Sequence, residues 1–309
     1  MANLKDLSKK KEPICGGHRA CAGCGAPIVA RQVILASPDP VVVVSATGCL
    51  EVTTTIFPYS AWNVPFLHNA FENSAATMSG VEAAYQSLKR KGKVNRKINF
   101  VAFGGDGGTY DIGFQSLSGA MERGHDLLYV CYNNEAYMNT GVQRSGATPK
   151  GANTTTEPAG KASQGKVKFA KDLTQIIAAH GVPYVAQSIV GNWMDVTKKA
   201  EKAFSIEGPK FMNVLQPCRL GWAYKPEETA ALGRLAADTC VWPLYEIEYG
   251  KLKVTYKPKE KKPVVEFLKK QDRFRHLFRP ENANILEVIQ KEVDRKWNLL
   301  LQKDGQELF

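Results

Sequence analysis

The feature that most constrains this chain is a repeated alternation, from about residue 28 to about 240, of short apolar runs with helical stretches. Pro40–Val44 (PVVVV) reads as a buried strand running into Ser-Ala-Thr-Gly-Cys. A small-residue helix over 73–88 follows, then a strand over 98–103 that runs into GGDGG, a helix over 113–123 and a strand over 127–132 (LLYVCY). Further on, a helix is expected over 169–181, a strand over 184–189, a helix over 194–204 and a strand over 210–215. Runs that are apolar throughout, separated by helices, bury both faces. They specify an α/β fold, a mostly parallel, doubly wound sheet with helices on both sides. The 309 residues suffice for one large α/β unit or two modest domains.

After Cys240 the pattern changes. Residues 244–256 (LYEIEYGKLKVTY) alternate about a Gly-Lys turn as a hairpin does, and a Lys/Pro linker over 257–263 follows. Ile285, Ile289, Val293 and Trp297 then form an i, i+4 stripe on a last helix. The expected division is therefore a ligand-binding α/β domain over 1–240 and a small hairpin-plus-helix extension over 241–309. The stripe serves as a docking face, on the same chain or on a partner subunit. The stretch 141–165 is rich in Gly, Thr, Ser, Ala and Pro and has no apolar period, which marks a long functional or contact loop.

No run of apolar residues is long enough to span a bilayer. The start, MANLKDLSKKKEPICGG, has no apolar segment of the kind that directs export, so a cytoplasmic protein is expected. The net charge of +11 is uneven. Residues 1–20 hold five basic and two acidic side chains, and 251–309 hold fifteen and nine. Such basic ends steer acidic partners. With no arginine-rich tract and no aromatic RNA-binding signature, docking on acidic subunits or plain solvation explains them better than nucleic acid.

Gly105-Asp106-Gly107-Gly108 directly follows one buried strand, and Asn133-Asn134 directly follows the next. With one helix between them this is a β-α-β unit, whose right-handed crossover brings both strand ends to the same carboxyl edge. A carboxylate and an amide oxygen converging there, beside glycines that admit close backbone approach, suit an octahedral Mg2+ that keeps phosphate oxygens among its ligands. A Gly-Asp-Gly alone is a common turn, so the pairing with Asn134 is what carries the reading.

Seven cysteines, an odd number in a chain expected to be cytoplasmic, argue against a disulfide framework. Cys21-Ala-Gly-Cys24 is a C-x-x-C in a glycine-rich turn, compatible with a redox pair, half a zinc site or half an iron–sulfur site. Cys49 and Cys218 each follow a strand end and reach the same edge, which completes a tetrathiolate for zinc or a [4Fe–4S] cubane. Cys131 lies within an apolar strand and reads as a small core residue. Cys15 is a competitor for a ligand role, and Cys240 has no evident partner.

The spacing of Asp106 and Asn134 resembles the thiamine diphosphate signature, which implies Mg2+ held by Asp106, Asn134 and the carbonyl of Ala136. Beside such a carbanion-forming cofactor a redox cluster makes sense where redox-inert zinc does not. The segments GHRACAGCG (17–25), SATGCLEVTTTIFPYSAW (45–62), HNAFENSAATMSGVEAAY (68–85), GDGGTYDIG (105–113), YNNEAYMNTGVQRS (132–145) and PCRLGW (217–222) together resemble the β subunits of the 2-oxoacid:ferredoxin oxidoreductases, of the pyruvate type. The resemblance runs from about 13 to 300. It implies thiamine diphosphate contacts from Cys49, Gly105, Asp106, Gly107, Gly108, Asn134, Glu135, Ala136, Tyr137, Met138 and Asn139, with Asn139 the catalytic residue near the reacting carbon. It implies a [4Fe–4S] cluster on Cys21, Cys24, Cys49 and Cys218.

The implied reaction is oxidative decarboxylation of a 2-oxoacid with coenzyme A, delivering electrons to ferredoxin. An α subunit would complete the aminopyrimidine side of the site, and γ- and δ-type subunits, but no nucleic acid or membrane, would be partners. Two departures stand out: Ala26 where some members have Glu, and Arg-Leu after Cys218 where many have Pro-Thr. Glu51 and Glu72 are candidates, by charge, for the carboxylate that activates thiamine, which the family draws from the α chain. His18 and His68 are read as turn-fixing and packing residues. The same machinery acting on oxalate, 2-oxoisovalerate or 2-oxoglutarate is the near alternative. A zinc-stabilised scaffold subunit and a non-redox thiamine decarboxylase are the more distant ones.

Overall fold

The computed structural model describes residues 3–308. The apolar runs become eight strands: β1 (Val41–Ala46), β2 (Phe66–Asn69), β3 (Asn99–Gly105), β4 (Leu128–Asn133), β5 (Tyr184–Ile189), β6 (Lys210–Leu215), β7 (Tyr245–Glu248) and β8 (Lys251–Val254). They form one sheet in the order β2-β1-β3-β4-β6-β5-β7-β8. Strands β1 to β6 run parallel, and β7 and β8 close one edge antiparallel.

Side chains alternate between two cores because successive Cβ atoms leave a strand on opposite faces. Val41 and Val43 of β1, Val101 and Phe103 of β3, and Leu128 and Val130 of β4 enter one core. That core is roofed by Val29 and Val33 of the helix Gly25–Ala36 and by Val196 and Ala200 of the helix Trp193–Ser205. Val44, Phe100, Ala102, Tyr129 and Phe211 enter the other, under the helices Ser74–Arg90 and Phe114–Glu122. The doubly wound α/β fold is thus the one the alternation specifies. Among the described residues no helix is long and apolar enough to cross a membrane.

Several elements differ in detail. β2 is short and half exposed and leaves no apolar run to read. The helix expected over 169–181 is confined to Leu173–Ala178. Lys171 is drawn off it, its amide bonded to Gly146 O (3.0 Å) and its Nζ to Tyr110 O and Asp111 Oδ1 (2.7 Å each). Asp172 then caps the helix, and Gly181 (φ 69°) leaves it in the left-handed region. The hairpin turn sits one residue earlier than expected, on Tyr249 and Gly250, both at positive φ (45° and 80°) as a type I′ turn demands.

Residues 241–308 are woven into the sheet. β7 pairs with β5, and Asp304 accepts from Val254 N (2.9 Å) and pairs with Lys257 (2.7 Å). The stripe on the last helix, Ala283–Gln302, covers its own chain: Ile289 packs with Val264, Phe267 and Phe274, and Trp297 joins the sheet core.

Candidate active site

Strand order sets the site. β1, β3, β4 and β6 are neighbours at the middle of the sheet, so the segments leaving their carboxyl ends stand side by side. β3 ends in Gly104-Gly105 and the chain turns through a π-helical turn, Gly108–Ile112, before its helix. The glycines are required by contact. A Cβ on Gly107 would lie 2.5 Å from Cδ1 of Tyr137, and one on Gly108 would lie 2.8 Å from the Phe71 carbonyl oxygen.

Asp106 is fully buried. Its Oδ1 accepts from the backbone N–H of Asn134 (3.1 Å) and its Oδ2 from the Ser145 hydroxyl (2.5 Å). Burial pushes this carboxyl up to about 7 against those two donors, with the charge of Glu135 adding to the rise. The Asn134 amide can sit two ways. In one, its nitrogen donates to Asp106 Oδ1 (3.0 Å) and Ala136 O (2.8 Å) and its oxygen accepts from Gln216 Nε2 (3.1 Å). In the other, its oxygen faces Asp106 Oδ1 and Ala136 O at those same 3.0 and 2.8 Å, and its nitrogen faces Gln216 Nε2. Adjacent ligands of an octahedral ion with bonds of about 2.1 Å lie about 3 Å apart, so the second orientation is a set of oxygens spaced for Mg2+. A cation there would return the Asp106 carboxyl to full ionisation.

Above these oxygens is a small cleft. Thr47, Gly48 and Cys49 form one wall; Gly105, Gly107 and Gly108 form the floor; Ala136, Tyr137, Met138 and Asn139 form the other wall. Asn139 is exposed at the mouth. Glu135 does not line it. Its backbone stays in the turn, at φ 65°, while its carboxylate pairs with Arg273 (2.5 Å) behind the site. Burial raises the Glu135 carboxyl, opposed by Arg273 and Lys166.

The cysteines gather on the same edge. Cys24 N donates to Cys21 O (2.9 Å), and Gly23 takes φ 76° to close that turn. Cys49 starts the helix Cys49–Thr54 after β1, and Cys218 Sγ accepts from Gly221 N (3.5 Å) after β6. Burial pushes the Cys49 thiol up to about 12, with Cys218, Cys24, Cys21 and Asp106 adding like charge, and the Cys24 thiol up to about 11, with Cys218 and Cys21 adding. The four therefore lie within electrostatic reach of each other. Yet among the described residues no three His, Cys, Asp or Glu side chains are gathered tightly enough for one metal ion. Cys15 stands apart, its Sγ accepting from Asn63 Nδ2 (3.0 Å). Cys131 and Cys240 are buried.

His18 fixes its turn, Nδ1 accepting from Ala20 N (3.4 Å). His68 is half exposed and bonds Thr47 Oγ1 (2.7 Å) rather than packing in a core. Glu51 is buried, bonded by Thr55 Oγ1 (2.7 Å) and 3.5 Å from His68 Nε2, whereas Glu72 is exposed. Sequence reasoning gave no role to Ser145, Gln216, Trp222 or Arg273. Trp222 Nε1 donates to Asn134 O (2.9 Å), and its ring lies 3.9 Å beneath the Arg273 guanidinium. Ser145 lies in the segment 132–145 that carries the family resemblance, but nothing there marks its partner.

Residues 46–214 match the model of the thiamine pyrophosphate enzyme C-terminal TPP-binding domain. Pyruvate synthase subunit PorB of Methanocaldococcus jannaschii is 56% identical over 94% of this chain and 97% of its own. The subunit of the same name from Thermotoga maritima is 53% identical over 97% and 95%. The chain belongs to the 2-oxoacid:ferredoxin oxidoreductase family. Within that family, ketoisovalerate oxidoreductase subunit VorB of Pyrococcus abyssi is 42% identical over 94% of this chain and 93% of its own. A solved 2-oxoglutarate:ferredoxin oxidoreductase from Magnetococcus marinus shares the fold, with TM-score 0.55 and 20% identity over 68% of this chain and 69% of that one.

Proposed function

We propose that this chain is the β subunit of a pyruvate-oxidising member of the family, taking pyruvate and coenzyme A to acetyl-CoA and CO2 and passing two electrons through a [4Fe–4S] cluster to ferredoxin. The observation that carries it is the single sheet edge on which the oxygens of Asp106, Asn134 and Ala136 meet beneath a glycine-floored cleft, with four cysteines beside it. In that cleft thiamine diphosphate would supply a carbon nucleophile for the 2-oxo group and a sink for the electron pair left on loss of CO2. The chain's own part is binding and placement. Asp106, Asn134 and Ala136 O hold Mg2+, the amides of 105–108 approach the diphosphate, and Asn139 sits at the mouth toward the substrate.

Cys21, Cys24, Cys49 and Cys218 hold the cluster. A redox cluster can carry the electrons that a carbanion-forming cofactor releases, and redox-inert zinc cannot, which favours the cluster over zinc. An α subunit supplies the activating carboxylate and most of the grip on the substrate carboxylate, so the isolated chain is inactive. Residues 241–309 and the basic ends offer surfaces for it and for γ- and δ-type subunits.

The test is iron, sulfide, zinc, magnesium and thiamine content of the anaerobically purified complex, followed by ferredoxin reduction with a panel of 2-oxoacids. About four irons per β chain and CoA-dependent turnover of pyruvate are expected. One zinc per chain, or turnover of oxalate without CoA, overturns it. Preference for 2-oxoisovalerate would place the chain with the VorB relative.

A further inference from the structure

The turn that carries two of the three metal-facing oxygens contains a strained residue. Glu135, at φ 65°, is a non-glycine residue in the left-handed region, and without that conformation Asn134 Oδ1 and Ala136 O would not face the same point. Surrounding contacts must therefore hold it. Its N–H donates to Asn133 Oδ1 (2.9 Å) and its carbonyl accepts from Thr148 Oγ1 (2.6 Å). Its carboxylate, buried, meets an equally buried guanidinium from far along the chain, Arg273 Nη2, at 2.5 Å.

Arg273 is itself fixed in orientation. Gln271 Oε1 accepts from its Nε (2.9 Å) and its Nη2 (2.7 Å), and its plane lies over Trp222, whose indole N–H holds the Asn134 carbonyl. One guanidinium thus grips the metal turn twice, through the Glu135 side chain and through the indole it stacks on. Trp222 also ends the short helix that begins just after Cys218.

We propose that Arg273, in the C-terminal segment outside the cofactor-binding motifs, is a positioning residue for the Mg2+-binding turn: by pairing with Glu135 and stacking on Trp222 it keeps Asn134 and Ala136 aimed at Asp106. It touches neither metal nor cofactor. Lysine cannot replace it fully, because an ammonium gives the charge but neither the flat face nor the fixed fork. The role rests on the Mg2+ site proposed above.

The experiment uses the assembled complex stripped of divalent cations, with saturating thiamine diphosphate. Mg2+ is titrated calorimetrically into wild type, Arg273→Lys, the double variant Arg273→Met/Glu135→Gln, and Asp106→Asn as control. The Tm of each stripped complex is measured alongside. The double variant leaves no unpaired buried charge, and its Mg2+ affinity is expected to fall about 10- to 100-fold, as for other groups that orient metal ligands. Arg273→Lys is expected to fall several-fold, between it and wild type. Affinity within twofold of wild type in the double variant, or a lowered Tm with Mg2+ affinity unchanged, makes Arg273 structural only and overturns the proposal. If the double variant does not assemble, an unchanged affinity in Arg273→Lys overturns it. Wild type that takes up no Mg2+, like Asp106→Asn, instead overturns the metal site itself.

Discussion

Replacing Gly107 by alanine probes whether the glycine floor and the metal turn are mechanically one unit. Gly107 lies in right-handed helical backbone (φ −59°, ψ −48°), so alanine brings no dihedral strain. The new methyl would lie 2.5, 2.6 and 2.7 Å from Cδ1, Cε1 and Cγ of Tyr137, where ordinary contact begins at 3.4 Å. The ring must retreat by about 0.9 Å. Because Cγ is among the clashing atoms, rotating the ring about its own axis does not help; the side chain must move at its root. The ring is also stacked on Phe71 at 5.5 Å, so the backbone next to it gives way, and that backbone carries the Ala136 carbonyl. Overpacking of this kind costs about 1–3 kcal/mol. Alanine returns about 0.4–1 kcal/mol by restricting the unfolded chain. The net loss is roughly 1–2 kcal/mol, a few degrees in Tm. If Ala136 O holds Mg2+ as proposed, Mg2+–thiamine diphosphate affinity is expected to fall at least tenfold. A double-mutant cycle with Tyr137→Ala, which removes the clashing ring atoms, should show a favourable coupling of at least about 1 kcal/mol. Wild-type affinity in Gly107→Ala, or no coupling in the cycle, would refute the claim that floor and turn move together.

Ser145→Ala removes the 2.5 Å hydrogen bond to Asp106 Oδ2; a bond to a charged group is worth about 1.5–3 kcal/mol, so Mg2+ affinity measured by titration should fall tenfold or more. Trp297→Ala empties a buried site where the last helix meets the sheet and should cost about 3–5 kcal/mol in denaturant unfolding, while the folded fraction binds Mg2+ with unchanged affinity. Lys166, whose Nζ donates to the carbonyls of Ser145 (3.1 Å) and Thr148 (2.5 Å), has its ammonium lowered to about 8 by burial. The folded chain then binds fewer protons than the unfolded one between about pH 8 and 10.5, so stability attributable to Lys166 rises with pH across that window. Unfolding free energies of wild type and Lys166→Met at pH 7, 8 and 9.5 should show stability rising more steeply with pH in wild type than in the variant.

What the sequence disclosed and what it hid divide along one line. β5 and β6 have the bounds read from it, because a run buried on both faces must be apolar throughout and stops where burial stops. Asp106, Asn134, Cys49 and Cys218 were legible because each closely follows such a run and a parallel sheet delivers all run ends to one edge, whereas Cys21 and Cys24 were legible from their C-x-x-C spacing in a turn ahead of β1. β2 was hidden because a short, half-exposed edge strand needs no apolar pattern. The helix expected over 169–181 shrank because Lys171 bonds instead to Gly146 of the 141–165 loop and to Tyr110 and Asp111, a tertiary preference that local composition does not carry. Ser145 and Arg273 were hidden because their meaning is a partner 39 and 138 residues away. A serine in a loop and an arginine in a basic tail look like solvated residues until the fold is closed.

Register explains why the pieces meet so closely. Gly105 stands opposite Tyr132 in the β3–β4 ladder and Asn133 opposite Leu215 in the β4–β6 ladder. One step beyond the last rung of β4 and β6 therefore brings Asn134 level with Gln216, the pair observed, and Cys218 follows two residues later. On the other side, Ser45 stands opposite Phe103, so counting on along both chains places Gly48 level with Asp106 and Cys49 just past it. The outermost of these four strands, β1 and β6, are three strand spacings apart, about 14 Å, and each carries a cysteine that flanks the oxygens between. Ladder pairing thus brings Cys49 and Cys218 to the same sheet edge as the oxygens of Asp106, Asn134 and Ala136. A shift of one residue in the β3–β4 ladder would part Asp106 from Asn134 and Ala136, while a shift in the β1–β3 or β4–β6 ladder would move Cys49 or Cys218 away from them.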